Sequence, residues 1–324
     1  MHRKKFITGM VALAGIGALG RISSKATTPT PHNKKKKTMT QEIATFGAVH
    51  LNITDLQRSV SFWKDNIGLK IRNVKPEYTE MGTESSTLVV LYPTAKTRFK
   101  NGYSGLYHLA IHPSNEAEFA RVLARLIEKR YPISPTDHTM SKAIYLEDPD
   151  GITVEITLET PERLDRLDFS NGAPKAIDRD GTVRSPSAPL DVQSVLKALP
   201  DNDTNRIPAD DTKVGHIHLY VSNLEATNDF YLGLGFIQNM RLPHLGMYDL
   251  GAGGDFKHRV AFNAWHSLNK PQAPEGTAGL RYYTINFDTP ERLKTAVQSL
   301  PSTQEQKEGY FIADPAGNKI LLRG

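Results

Sequence analysis

The strongest constraint on the fold is a short pattern that the chain repeats four times. A glycine followed by a strand-like run opens each copy: Gly47-Ala-Val-His-Leu-Asn-Ile, Gly105-Leu-Tyr-His-Leu-Ala-Ile, Gly215-His-Ile-His-Leu-Tyr-Val and Gly279-Leu-Arg-Tyr-Tyr-Thr-Ile. Such repetition means that one supersecondary unit has been copied and that no copy buries its apolar face alone. Each opening precedes a helical stretch led by a capping-type residue. Thr54-Asp55 leads Leu56 to Trp63, Ser114 leads Glu116 to Glu128, Ser222-Asn223 leads Leu224 to Tyr231, and Thr289-Pro290 leads Glu291 to Leu300. Runs rich in β-formers follow, such as Thr87 to Leu91, Ala143 to Leu146 and Ile152 to Leu158. The unit thus reads β-α-β-β-β and is about 55 to 60 residues long.

Two more correspondences tie the halves together: Ile67-Gly68-Leu69 matches Leu234-Gly235-Phe236, and Asp148-Pro149-Asp150-Gly151 matches Asp314-Pro315-Ala316-Gly317. With 324 residues, two domains of about 150 each are expected. Sequence order then predicts one domain over residues 41–160 from the first two units and a second over 214–324 from the last two. Residues 161–213, rich in Pro, Asp and Arg with a helical piece near Val192 to Leu199, read as a connector packed over the surface.

Charge and cysteine content narrow the chemistry. The net charge of +5 comes from Arg3, Lys4, Lys5, Arg21, Lys25 and Lys34 to Lys37, nine cations that precede the first acid, Glu42. Taking these nine from the 40 Lys and Arg leaves 31 against 35 Asp and Glu, so the body carries −4 and offers no basic surface for nucleic acid. With no cysteine, disulfides, zinc-thiolate sites and thiol catalysis are excluded, and any metal falls to His, Asp or Glu.

Four tandem β-α-β-β-β units with these openings and an Asp-Pro-x-Gly turn before the final strand resemble the vicinal oxygen chelate superfamily. That superfamily includes glyoxalase I, bleomycin-resistance proteins and extradiol dioxygenases. The resemblance covers nearly everything after residue 45 and implies an α+β fold in which tandem βαβββ modules form two open barrel domains, one of them holding a divalent metal. Dimers and tetramers are common in the family, so a homo-oligomer is expected.

Strand periodicity supplies ligands for such a metal. Period-two alternation sets His50 and Asn52 opposite Val49, Leu51 and Ile53; His108 and Ala110 opposite Tyr107, Leu109 and Ile111; and Glu155 with its threonine neighbours opposite Ile152, Val154 and Ile156. If the apolar faces pack under the helices, His50, His108 and Glu155 converge inside the first barrel. Two imidazoles and one carboxylate leave three coordination positions open, which suits non-haem Fe(II), with Mn(II) as the alternative. His112 shares the face of His108 and is a weaker candidate for the oxygen side of the site. In the second half His218 aligns with His50, but Tyr282 and Leu321 stand at the positions of His108 and Glu155, so that half reads as a degenerate copy. His244, His258 and His266 read there as loop residues, with a metal site in the second half as the alternative.

A longer motif resembles the extradiol dioxygenases in particular: Thr136-Asp137-His138, five residues, Ile144-Tyr145, two residues, Asp148-Pro149-Asp150-Gly151, three residues, Glu155. The resemblance implies Glu155 as iron ligand, Tyr145 as hydrogen-bond donor to a substrate oxygen and His138 as a nearby acid/base. It implies a catechol-cleaving enzyme acting on an aromatic diol and O2. The departure is that no histidine lies between Leu51 and Tyr107, where these enzymes usually carry one close to the oxygen site. The rival readings are a glyoxalase-like isomerase or thiol transferase, which typically needs four protein ligands, and a non-catalytic binding protein of the bleomycin-resistance type, which needs none of the triple.

The N-terminus has basic Arg3, Lys4 and Lys5, the apolar run Phe6 to Leu19 and the small residues Ser23, Ser24 and Ala26. That is the layout of a signal peptide, with Arg3-Lys4-Lys5-Phe6 similar to a twin-arginine signal, and the run is short for a spanning helix. Residues 27–40 follow as a solvated linker. Export, to the periplasm in a two-membrane cell, is expected, with a cytoplasmic protein starting at Met39 as the alternative. Cell fractionation should recover a shortened chain outside the cytoplasm; an intact N-terminus in the cytosol would rule export out.

Overall fold

In this computed structural model the described residues are 41–170, 174–300 and 303–324. The signal and linker segment expected over 1–40 lies outside them. Each repeat forms the expected unit. The first holds β1 (Ala44–Asn52), α1 (Leu56–Phe62), β2 (Lys70–Val74), β3 (Thr79–Gly82) and β4 (Thr87–Tyr92). The second holds β5 (Gly105–His112), α2 (Glu116–Glu128), β6 (Ser134–Asp137), β7 (Ser141–Glu147) and β8 (Thr153–Glu159). The connector contributes β9 (Leu164–Asp168), β10 (Lys175–Asp178), β11 (Val183–Arg184), β12 (Ala188–Pro189) and α3 (Val192–Leu196). The third unit holds β13 (Lys213–Tyr220), α4 (Leu224–Gly233), β14 (Ile237–Leu242), β15 (Met247–Gly251) and β16 (Val260–Asn263), and the fourth β17 (Gly279–Phe287), α5 (Pro290–Gln298), β18 (Gln304–Gln306), β19 (Gly309–Ala313) and β20 (Lys319–Arg323).

Local chemistry explains the helix starts. Asp55, Asn115, Asn223 and Thr289 each accept a hydrogen bond from the backbone N–H three residues on, filling one of the donors a helix start leaves open. In the second unit the cap is therefore Asn115 rather than Ser114. The paired turns also match: the Asp148 carboxylate accepts from the N–H groups of Asp150 and Ile152 at 2.8 Å, and Asp314 does the same for Ala316 and Asn318 at 2.9 and 2.8 Å. Gly151 and Gly317 have φ of 83° and 86°, a backbone region that glycine enters without steric cost.

The order of assembly is not the order of the chain. One sheet runs β12-β6-β7-β8-β5-β13-β16-β15-β14 and the other β18-β19-β20-β17-β1-β4-β3-β2. Unit two therefore pairs with unit three, through antiparallel β5 and β13, and unit one with unit four, through antiparallel β1 and β17. The expected domains 41–160 and 214–324 are corrected: each supplies four strands to each of the two sheets. Within one unit the first strand pairs in parallel with the last, as β5 does with β8, so the edge left free on β5 is filled by a first strand from another unit.

The connector is also more than a surface strap. Strands β9 to β11 form their own small sheet, and β12 extends the nine-stranded sheet by pairing with β6. One apolar core draws on both sheets, from Val49 and Ile53 through Leu109 and Val154 to Ile217 and Ile285. Asp150, in the turn of unit two, accepts from Thr54 N and Oγ1 at 2.8 and 2.5 Å and from Arg58 at 2.7 Å, which ties consecutive units across the sheets.

Thr45 and Asn286 face each other across β1 and β17, at the Cβ spacing of about 4.5 to 5.5 Å usual for opposed residues. Because the chain has no native cysteine, a Thr45→Cys/Asn286→Cys variant should close an intramolecular disulfide on mild oxidation, seen as a mobility shift without reductant. Failure to close it would contradict the pairing of units one and four.

Candidate metal centre

Three neighbouring strands, β8, β5 and β13, carry the site. Ala110 on the middle strand is in register with Glu155 on one side and His216 on the other. Side chains in one row of a sheet share a face, and His108, two residues from Ala110, shares it too. Ala110 is fully buried, and its single methyl leaves the long side chains of Glu155 and His216 room to reach across and meet His108.

They meet closely. His108 Nε2 lies 3.2 Å from His216 Nε2 and 2.9 Å from Glu155 Oε2, and His216 Nε2 lies 3.0 Å from the same oxygen. All three residues are buried. Ligands about 2.1 Å from one ion stand about 3 Å apart when they occupy adjacent octahedral positions and about 3.4 Å apart in a tetrahedron. The observed spacings fit one triangular face of an octahedron. Among the described residues this is the group of His and carboxylate side chains with ligand spacing.

The imidazoles have the form that ligation needs. Burial, ahead of any neighbouring charge, holds His216 and His218 well below the ordinary histidine range, so both are neutral. His108 Nδ1 has no hydrogen-bond partner among the described residues, and its Nε2 is the nitrogen turned towards Glu155 Oε2 and His216 Nε2. His218 is turned away: its Nε2 accepts from Asn263 Nδ2 at 3.0 Å, and the Asn263 oxygen accepts from Trp265 N at 3.2 Å, which fixes the amide.

Tyr145 stands opposite Glu155 across β7 and β8, its ring edge-on to His108 with centroids 5.7 Å apart. Burial, and then the Glu155 carboxylate, push its phenol well above the ordinary range, so it keeps its proton. His138 Nδ1 donates to the carbonyl of Pro186 at 2.7 Å, which leaves Nε2 to accept from the Tyr145 hydroxyl at 3.0 Å. The connector residue Pro186 thereby orients the pair. On the other flank Tyr107 packs among His108, His218, Tyr220 and Trp265, with centroids 4.8 to 5.8 Å away, and gives the centre an aromatic wall.

Residues 45–156 match the family model described as the glyoxalase/bleomycin resistance protein/dioxygenase superfamily. A catechol-2,3-dioxygenase of Bacillus subtilis (strain 168) is 29% identical over 287 residues, 85% of this chain and 95% of that protein. Two solved structures share the fold: a protein of Bacillus subtilis subsp. subtilis str. 168 provisionally described as a dioxygenase, with TM-score 0.53, 11% identity and coverage of 87% and 85% of the two chains, and glyoxalase I from Zea mays, with TM-score 0.50, 15% identity and coverage of 86% and 92%. Residues 45–156 thus carry a domain of that superfamily.

The residues expected from sequence divide cleanly. His108, Glu155, His138 and Tyr145 come together; His50 does not join them. It lies in the other sheet, stacked on Tyr282 at 3.8 Å with Nδ1 3.1 Å from the Tyr92 hydroxyl, because β1 pairs with β17 and not with β5. The third donor is His216, whose signal was present: His216 and His218 are two apart on one strand and so share a face. In the other sheet Ala48, Tyr282 and Leu321 occupy the equivalent positions, so the degenerate copy combines units one and four. His112 sits behind His216 rather than on the oxygen side. His258 borders the centre, its ring 4.8 Å from that of His216 and its Nδ1 held by Asp249 at 2.6 Å, while His244 and His266 remain exposed loop residues.

Dialysis against Fe(II) or Co(II) should load about one ion per chain into the unaltered protein and into His50→Ala. His216→Ala and the double variant His108→Ala/Glu155→Ala should load none. Full loading of His216→Ala would remove this site as the metal centre.

Proposed function

We propose that the protein is an Fe(II)-dependent extradiol dioxygenase, with Mn(II) as the alternative metal, which opens a catechol-type ring with O2. The observation that carries this reading is the buried His108-Glu155-His216 triangle beside an oriented Tyr145-His138 pair. The overall reaction places both atoms of O2 in the ring-opened semialdehyde, so it needs no external reductant. When bound, the metal supplies a Lewis acid that lowers the pKa of a diol hydroxyl and open positions at which diol and O2 meet.

The chain's own residues supply the rest. His108, Glu155 and His216 would hold the ion from one side, which would leave its other side to small molecules. The wall of Tyr107, Tyr220 and Trp265 offers flat apolar surfaces against which a planar ring can pack edge or face. Tyr145 donates to an oxygen of the substrate in place of His138, and His138 Nε2, with Nδ1 tied to Pro186, is then free to accept a proton from the diol and return it later. Fixing both rings in advance lowers the orientation cost of the step.

A glyoxalase-like reading is disfavoured by the donor set. Among the described residues a fourth protein ligand is lacking at the triangle: Glu159 is held by His112 and Arg259, and His218 by Asn263. A non-catalytic binding protein has no need of a dry triangle of lone pairs with an oriented acid/base pair next to it.

His138→Asn and Tyr145→Phe should retain metal and catechol binding while ring cleavage, followed by oxygen uptake and absorbance of the product, slows about 10²- to 10⁴-fold. Wild-type rates in both variants, or no cleavage of any catechol by the iron-loaded protein, would sink the dioxygenase reading.

A further inference from the structure

The two histidines of the triangle are supported differently. His108 Nδ1 has no partner among the described residues, whereas His216 Nδ1 lies 2.8 Å from His112 Nε2, and His112 Nδ1 lies 2.8 Å from Glu159 Oε1. Arg259, itself buried, donates to that same Glu159 oxygen at 2.6 Å and to the carbonyl of Gly215, the residue before His216, at 3.0 Å. It also donates to Glu42 Oε1 and lies over the Phe256 ring, 4.8 Å from its centroid.

The proton positions along this chain follow from its far end. Glu159 is a carboxylate, held far below the usual range by His112 and Arg259 against the opposing effect of burial, and a carboxylate only accepts. His112 Nδ1 therefore carries a hydrogen. A neutral imidazole donates from one nitrogen only, so with Nδ1 given to Glu159 the His112 Nε2 is the acceptor that faces His216 Nδ1 at 2.8 Å. His216 must then donate from Nδ1, and its Nε2 is left with a lone pair 3.0 Å from the Glu155 carboxylate oxygen. Two lone pairs at that distance repel unless a cation stands between them. The arrangement also accounts for Gly215: a Cβ there would come 2.0 Å from the His112 ring.

We propose that His112 and Glu159, anchored by Arg259, are positioning residues that fix the tautomer of His216 so that its Nε2 is presented as a metal ligand. The proposal rests on the metal-centre reading given above and extends it to residues outside the triangle. Outer partners of this type typically change metal affinity by about 10- to 100-fold.

The test measures metal affinity and tautomer rather than turnover. Co(II) titration, read from the visible spectrum, should show affinity about 10- to 100-fold weaker in His112→Leu, while His112→Gln, which keeps an acceptor for His216 and a donor for Glu159, recovers most of it. In the unaltered protein, ¹⁵N-histidine spectra with and without Zn(II), assigned through His216→Gln, should show His216 protonated at Nδ1 in both states. No divalent ion bound by the unaltered protein would overturn the metal reading itself. Metal bound by the unaltered protein, but with His216 unprotonated at Nδ1, with undiminished affinity in His112→Leu, or with no recovery in His112→Gln, would overturn the positioning role alone. Should His112→Leu fail to fold, the spectra of the unaltered protein decide.

Discussion

The antiparallel contact of β5 with β13 is the interaction on which the site depends. Its register sets His216 beside Ala110, and the parallel pairing of β5 with β8 sets Glu155 on the other side of the same alanine. A shift of one residue in either pairing would turn one ligand to the opposite face of the sheet. The apolar residues alternating with the ligands, Leu109, Ile111, Val154, Ile156 and Ile217, are essentially fully buried in the core. Burial of one face thus fixes which residues meet on the other.

The two sheets repeat one plan with different outcomes. In both, a first strand and its antiparallel partner supply the central pair, and a last strand flanks it in parallel. Where the nine-stranded sheet presents His216, His108 and Glu155, the eight-stranded sheet presents Ala48, Tyr282 and Leu321. There the stacked His50 and Tyr282 rings fill the space, and burial, followed by the Arg323 and Arg281 charges, pushes His50 down to about 3. The second sheet serves the first through the common core and through the Asp150 contacts to Thr54 and Arg58.

Segments outside the repeats complete the centre. The connector extends the sheet through β12 and supplies the Pro186 carbonyl that fixes the tautomer of His138. Glu42, just before β1, holds Arg259, which in turn holds Glu159 and the Gly215 carbonyl. A neutral imidazole can donate from either nitrogen, so its role follows from the partner at its far side. At His138 and at His216 that partner lies well away in sequence, in the connector and in the second unit.

The sequence by itself determined the repeating unit, its helix starts to within a residue, its Asp-Pro-x-Gly turns and the faces on which His108 and Glu155 lie, while the longer motif picked out His138 and Tyr145. All of these depend on neighbours a few residues away, through period-two alternation, capping and turn geometry. Tertiary structure decided which units pair. A first strand with a free edge can accept the first strand of any other unit, and nothing in four similar repeats states which one. That choice replaced His50 by His216, placed the worn copy in units one and four and set His112 behind a ligand. It is made by side-chain fit across distant strands, such as the Gly215 gap that receives the His112 ring, and this complementarity exists only once the chain has folded.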